Sequence, residues 1–276
     1  MDTMHAIVLG MVQGLTEFLP VSSSAHLQLV PWLFGWDDFA GNEDLEKAFD
    51  VAVHMGTLVG AVAYLWRDVV RLTTAGVTMV VRRESTRDGT MAWMLLATVI
   101  PASLVGVFAG DLLEKLDDDI WLTATTLIVF GLLLLIADRL GGSRSAATMS
   151  WRDTAVLGLA QACALQPGVS RSGVTVTAAR GLGFERADAT RIVFLMSIPI
   201  IAGAGLYSFI DIGGLDGIPD DFRSAFLWGM AASAVTGFIA VWGLLRFVRS
   251  HDFTPFVIYR VLLGLSVFAI LASGFR

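Results

Sequence analysis

Charge, lysine and cysteine are all scarce in this 276-residue chain. Charged residues make up only 16% of it against 55% hydrophobic, and the mean hydropathy is +0.69. That composition argues against a solvated globular domain. It is the composition of an integral membrane protein, with length for one domain of roughly six to ten helical segments. Lysine occurs only at Lys47 and Lys115, so the basic residues are nearly all arginine and orientation must be read from arginine. The net charge of −6 rules out a generally basic nucleic-acid surface. Cys163 stands alone, which excludes an intramolecular disulfide or a cysteine metal site. In its apolar run it reads as a small buried packing residue. The N-terminus has no basic leader and no small-residue cleavage site, and Glu17 interrupts its apolar stretch, so it reads as part of the mature fold.

What is present are long apolar runs. Residues 48–66, 91–110, 120–137, 192–210, 224–245 and, less cleanly, 255–275 are each long enough to cross a hydrocarbon core of about 30 Å. The first carries Asp50 and His54 and the last carries Arg260; the other four carry no charge. Two further regions, 4–34 and 154–183, are apolar in short pieces broken by polar, proline-containing loops. Each piece is too short to span alone, which suggests paired re-entrant helices whose irregular backbone is surrounded by protein or a water-filled cavity. One kinked spanning helix in each region is the alternative.

The connections alternate in sign. Arginines cluster in 67–90 (Arg67, Arg71, Arg82, Arg83, Arg87), around 139–152, in 180–191 and at Arg246 and Arg249. The intervening connections are acidic: Asp37, Asp38, Glu43, Asp44 and Glu46, then Asp111, Glu114 and 117–119, then Asp211, Asp216, Asp220 and Asp221. Arginine-rich loops belong on the cytoplasmic side. Six spans threaded through this pattern put both termini outside, with the first hairpin entering from outside and the second from inside. The expected fold is therefore an all-α integral membrane protein, an inverted-topology repeat with about six transmembrane helices and two re-entrant helical hairpins. It forms one domain, with halves of about 1–140 and 150–276 and a site near the midplane. Gln13 with 20–25 weakly echoes Gln161 with 167–173, in keeping with duplication.

The polar residues of the two breaks have types that suit phosphate chemistry. Gln13 and Glu17 share one helix face at i, i+4. Pro20 ends that helix, and Ser22 or Ser23 caps the next, with Ser23 and His26 on one side of its first turn. A helix N-terminus of this kind attracts anions. The second break offers Ser170, Arg171, Ser172 and Thr175, and the Arg171 fork matches phosphate oxygens and stays charged when desolvated. Ordinary capping serines, a hydrogen-bonded structural histidine and a solvated loop arginine are the plainer alternatives. Glu17 resists such a reading, because an ionisable group at membrane depth needs a partner.

Glu17-Phe18-Leu19-Pro20-Val21-Ser22-Ser23-Ser24-Ala25-His26 and Pro167-Gly168-Val169-Ser170-Arg171-Ser172-Gly173-Val174-Thr175 closely resemble the two signature motifs of the undecaprenyl-diphosphate phosphatase family, the bacitracin-resistance type. The likeness extends over essentially the whole chain. It implies a multi-pass plasma-membrane hydrolase that removes the terminal phosphate of a C55 polyprenyl diphosphate. The monophosphate carrier for cell-envelope glycans is thereby regenerated and bacitracin resistance conferred. It also implies a divalent cation, Mg²⁺ or Ca²⁺, and a site opening to the extracytoplasmic side. Glu17, Ser23, His26, Ser170, Arg171, Ser172 and Thr175 fall on positions the family associates with activity. The family's first motif is a Glu or Gln followed four residues later by Glu; here Gln13 precedes Glu17, so Glu17 is the single candidate metal carboxylate and a two-carboxylate site is not implied. The expected catalytic set is Glu17, Ser23, His26 and Arg171, with Gln13, Ser22, Ser170, Ser172 and Thr175 binding substrate. The nucleophile could be Ser23, His26 or water. The expected partners are the polyprenyl diphosphate lipid and the membrane, with no nucleic acid and a homodimer among the associations open to it. A lipid-diphosphate transporter or flippase built on the same inverted-repeat site is the rival reading.

Overall fold

The computed structural model describes residues 1–117, 119–211, 214 and 218–275, with the backbone alone for 111–117. Asp118 and Asp216 of the acidic connections lie outside the described residues, as do the side chains of Asp111, Glu114 and Asp117. Eleven α-helices are described: α1 (Thr3–Phe18), α2 (Ser23–Phe34), α3 (Glu43–Arg82), α4 (Arg87–Ala97), α5 (Val99–Asp117), α6 (Ile120–Arg139), α7 (Trp151–Cys163), α8 (Arg171–Gly181), α9 (Arg186–Asp211), α10 (Asp220–Phe247) and α11 (Thr254–Ser273). Among the described residues the only β pairing is an isolated bridge between Arg144 and Phe184.

Among the described residues, six helices are long and apolar enough to cross a membrane: α3, α4 running into α5 as Arg87–Gly110, α6, α9, α10 and α11. These are the six spans expected from hydropathy, and the chain is a multi-pass membrane protein by that architecture. Their bounds differ in two instructive ways. The apolar window of α3 covers only part of a 40-residue helix, which continues through Arg67–Arg82 where an arginine-rich connection was expected. Asp68, buried on that extension, receives Arg71 at 3.2 Å and Arg191 at 2.5 Å, and these ion pairs carry the helix past its apolar run. The span 91–110 is broken at Thr98, three residues before Pro101, whose ring and missing N–H disturb the turn behind it.

Helix starts follow the local chemistry. Asn42 and Asp119 accept from Leu45 N and Leu122 N at 3.1 Å each, and Ser150 forms a capping box with Asp153. Asp153 also receives Arg144 at 2.8 Å. Burial alone would raise the Asp153 carboxyl, but the hydrogen bonds from Arg144 and Ser150 outweigh it and hold it below the ordinary carboxylate value.

α1 packs along α10, and α10 along α3, through small residues. A Cβ on Gly10 would lie 2.1 Å from the Gly229 carbonyl oxygen, and one on Gly14 would lie 2.5 Å from that of Ser233. Without water to drive apolar association inside a bilayer, such close backbone approach is what van der Waals packing exploits. α6 lies on α11 in the same way, with Gly264 against Ala124. Phe18 at the end of α1 meets Phe194 on α9 edge-on at 5.2 Å, inside the main core with Leu134, Leu157 and Val241. α2 and α8, of 12 and 11 residues, are roughly 17–18 Å long at 1.5 Å per residue, well short of a hydrocarbon core.

Candidate active site

Both breaks adopt one unusual backbone. Ser22, the cap of α2, has φ 76° and ψ 100°; Ser170, the cap of α8, has φ 70° and ψ 112°. Non-glycine residues rarely hold positive φ, and such strain gathers at functional sites. In each turn the cap hydroxyl accepts the N–H three residues on, Ala25 at 3.4 Å and Gly173 at 3.1 Å. The cap is thus Ser22, which makes Ser23 the first residue of α2, just as Arg171 is the first of α8.

These two first residues meet on Glu17. The Glu17 carboxylate lies buried near the end of α1 and is 5% exposed. Its Oε1 accepts from Arg171 Nη2. Its Oε2 accepts from Ser23 Oγ at 2.6 Å and from Gln13 Nε2 at 2.9 Å. His54 on α3 brings Nε2 to 3.4 Å of the same oxygen. His54 Nδ1 is 2.7 Å from the Asp50 carbonyl, which can only accept, so Nδ1 carries a proton.

A cavity of about 470 Å³ opens over this cluster, lined by Glu17, Ser23, His54, Ser170 and Arg171 with Lys47, Asp50 and an apolar wall from α9. A larger one, of about 570 Å³, lies elsewhere on α3 and α9, around Asp68, Arg71 and Arg191. In that second cavity Arg71 and Arg191 pair with Asp68 and Asp88, and Arg87 donates to the Ala147 carbonyl, whereas the Glu17 cavity joins a hydroxyl, a carboxylate and a guanidinium.

The other expected residues make different bonds. His26 makes bonds of its own: its Nδ1 lies 2.6 Å from the Ser22 carbonyl and its Nε2 2.6 Å from Tyr259 Oη on α11. The carbonyl fixes the proton on Nδ1, so neutral His26 accepts from the Tyr259 hydroxyl at Nε2 and both nitrogens are engaged. Ser172 Oγ donates to the Leu19 carbonyl at 2.9 Å, tying the second break to the first. Thr175 bonds back to Arg171 O at 2.6 Å within α8. Cys163, expected to be buried, is exposed at the end of α7, with Sγ 3.5 Å from Leu159 O. Leu159, one turn back, is exposed as well, while Leu157, Gly158 and Gln161 of the same helix are buried. His54 was not singled out from sequence as a site residue, although Asp50 and His54, four apart in an otherwise apolar span, were the available signal.

The description bacitracin resistance protein BacA belongs to the family model that matches residues 6–266. The chain is a member of the BacA family. Among curated BacA-like relatives, a protein of Desulforudis audaxviator (strain MP104C) named undecaprenyl-diphosphatase is 46% identical over 271 residues, covering 98% of each chain. Proteins of the same name from Thermomicrobium roseum and Geobacter sulfurreducens are 42% and 43% identical over 275 and 277 residues, covering at least 96% of each chain.

The donors in this BacA family member bear on the expected cation. Among the described residues, no group of three or more His, Cys, Asp or Glu could hold a metal ion. The oxygens beside the cluster are the Glu17 carboxylate and Gln13 Oε1, which is buried without a hydrogen-bond partner. Such hard oxygens suit Mg²⁺ or Ca²⁺, and Mg²⁺ commonly takes one or two carboxylates plus phosphate oxygens. The residues therefore fit a cation carried in by a diphosphate better than one caged by protein.

Proposed function

We propose that this chain is an integral membrane phosphatase that hydrolyses undecaprenyl (polyprenyl) diphosphate to the monophosphate and inorganic phosphate, recycling the lipid carrier and conferring bacitracin resistance. The observation that carries the reading is the meeting of Ser23 and Arg171, from two breaks far apart in sequence, on the two oxygens of one carboxylate. The printed names of the relatives point to the same activity, and no comparable observation supports a flippase.

In the proposed mechanism Arg171 turns its remaining N–H groups to the terminal phosphate, helped by the N-terminus of α8. Ser23 Oγ attacks phosphorus in line as its proton passes to Glu17 Oε2. The bond from that phosphorus to the bridging oxygen breaks, and polyprenyl monophosphate leaves. Glu17 passes that proton to the departing monophosphate. Water then displaces phosphate from Ser23 as Glu17 takes the water's proton and returns it to Ser23 Oγ, and inorganic phosphate departs. The 2.6 Å hydrogen bond from Ser23 to Glu17 favours this serine over His26, whose ring nitrogens are both engaged. Gln13 holds Glu17 in place, while Ser22 and Ser170 shape the turns that present Ser23 and Arg171. A cation held by Glu17 and Gln13 Oε1 would neutralise charge on the diphosphate oxygens.

The proposed topology is that of two re-entrant hairpins, α1–α2 and α7–α8, in an inverted repeat within the plasma membrane. Both termini lie outside and the Glu17 cavity opens to the extracytoplasmic side. Its support is the shortness of α2 and α8 and the alternation of arginine-rich and acidic connections. Cysteines placed at Gly41 and Thr86 should label from opposite faces, with Gly41 outside; labelling of both from one face overturns it. The activity is tested by phosphate release from farnesyl and longer polyprenyl diphosphates by purified protein, with and without Mg²⁺. Folded wild-type protein that releases no phosphate would sink the phosphatase reading.

A further inference from the structure

Behind the two breaks lies a cation outside the proposed chemistry. Arg260, on α11, is fully buried. Its hydrogen-bond partners among the described residues are all backbone carbonyls. Nη1 donates to Pro20 O in the first break at 3.4 Å, and Nη2 donates to Gly168 O at 2.8 Å and Val169 O at 3.1 Å in the second. Nε and Nη2 also reach Leu127 O at 3.0 Å and Thr126 O at 3.4 Å on α6. A buried charge is normally paired or dispensed with, because desolvation is costly. Here the guanidinium is retained with carbonyls alone, and they come from the two turns that carry positive φ at Ser22, Gly168 and Ser170.

The surroundings are cut to admit it. A Cβ on Gly173, in the first turn of α8, would lie 2.6 Å from Arg260 Nη1, and one on Gly131 would lie 3.3 Å from Arg260 Cβ. Ser23 and Arg171 each follow a strained serine, so small rotations of either turn would part them from Glu17. Three nitrogens in one plane can hold three segments at once; the single nitrogen of a lysine cannot.

We propose that Arg260 is a positioning residue, whose guanidinium pins both hairpin breaks from behind so that Ser23 and Arg171 are aligned on one phosphate. This rests on the phosphatase reading for its kinetic part and stands on the fold alone for its conformational part. Arg260 acts through the backbone of 20 and of 168–169 and never touches substrate. Positioning of this kind lowers kcat while leaving KM nearly unchanged, because the alignment is used in the transition state.

The test uses the full chain in detergent, comparing wild type with Arg260→Lys and Gly173→Ala, the latter crowding the guanidinium from outside the cavity. Amide hydrogen exchange should quicken about 10-fold in 19–24 and 166–173 together for Arg260→Lys, with protection of α3, α9 and α10 unchanged. Per folded molecule, kcat on farnesyl diphosphate should fall about 10- to 100-fold, with KM within about threefold. Gly173→Ala should show the same paired response at about 3- to 10-fold, and it carries the test if Arg260→Lys does not fold. Exchange that rises in only one break, or kcat within threefold of wild type for both variants, overturns the proposal. Wild type that turns over no polyprenyl diphosphate overturns the phosphatase reading instead, and the exchange result then judges the clamp by itself.

Discussion

The two breaks share a conformation and differ in chemistry. Counted from the paired glutamines, Gln13 and Gln161, the cap serine falls nine residues on in both, and both serines hold the same left-handed backbone. Both glutamines leave Oε1 without a hydrogen-bond partner. At corresponding offsets, however, the first break has Glu17, Ser23 and His26 where the second has Leu165, Arg171 and Val174. In the proposed mechanism, one backbone device thus presents a nucleophile from one side and a phosphate fork from the other. A site made by meeting turns can divide labour in this way: each turn keeps its shape while its outward side chains diverge.

The widest gap in the comparison is charge, and removing it should have the largest effect. Glu17→Gln, Ser23→Ala and Arg171→Ala are each expected to cut kcat/KM for polyprenyl diphosphate by about 10² to 10⁴, the range lost with an acid–base or charged phosphate contact. Phosphate release within threefold of wild type in all three would dissolve the assigned division of labour. Making the second break resemble the first should cost less. Leu165 lines the cavity and is 37% exposed, so Leu165→Glu should fold and then compete with Glu17 for Arg171, lowering kcat about 10-fold. Unchanged or improved turnover would mean that Arg171 is not shared in this way.

What the breaks have in common should respond alike. Ser22→Ala and Ser170→Ala each remove a cap worth about 1 kcal/mol, which lowers the unfolding midpoint by about 2–4 °C. Midpoints that differ by more than twice that range would show the two turns to be unequal in strain. The smallest effect lies outside the comparison, at the start of α7. Asp153 titrates below its ordinary 3.8 in the folded chain, so its contribution is present above that value and fades as pH falls through the folded one. Asp153→Asn should therefore be less stable than wild type at neutral pH, with the difference shrinking below about pH 3.8 in thermal unfolding. A difference that stays constant with pH would remove the carboxylate as its cause.

Much of this arrangement is legible in the residues. Six apolar runs, the end of α1 near Pro20, and serines at both caps follow from hydropathy and local capping chemistry, which act within a few residues. Glu17 stood out because a carboxylate in an apolar run demands a partner. Arg171 was expected to supply the cation from the second break, and the folded chain brings it across 154 residues to Glu17; which carboxylate oxygen each donor takes did not follow. His26 was expected beside Ser23 because helical spacing puts them on neighbouring faces. The Ser22 carbonyl, which also accepts the His26 N–H at 3.3 Å, and the hydroxyl of Tyr259 engage both ring nitrogens instead. Arg260 was visible only as a charge in a span, because carbonyl acceptors leave no mark in a sequence.

The solitary thiol at Cys163 makes the second break a natural reporter. It ends α7 one residue before Ala164 on the cavity wall, and it is exposed. Alkylation by a small water-soluble maleimide would therefore sense the wetness of that turn in the native sequence, without any introduced label. Crowding by a bound prenyl tail should slow the reaction, so the alkylation half-time becomes a readout of occupancy that needs no turnover at all.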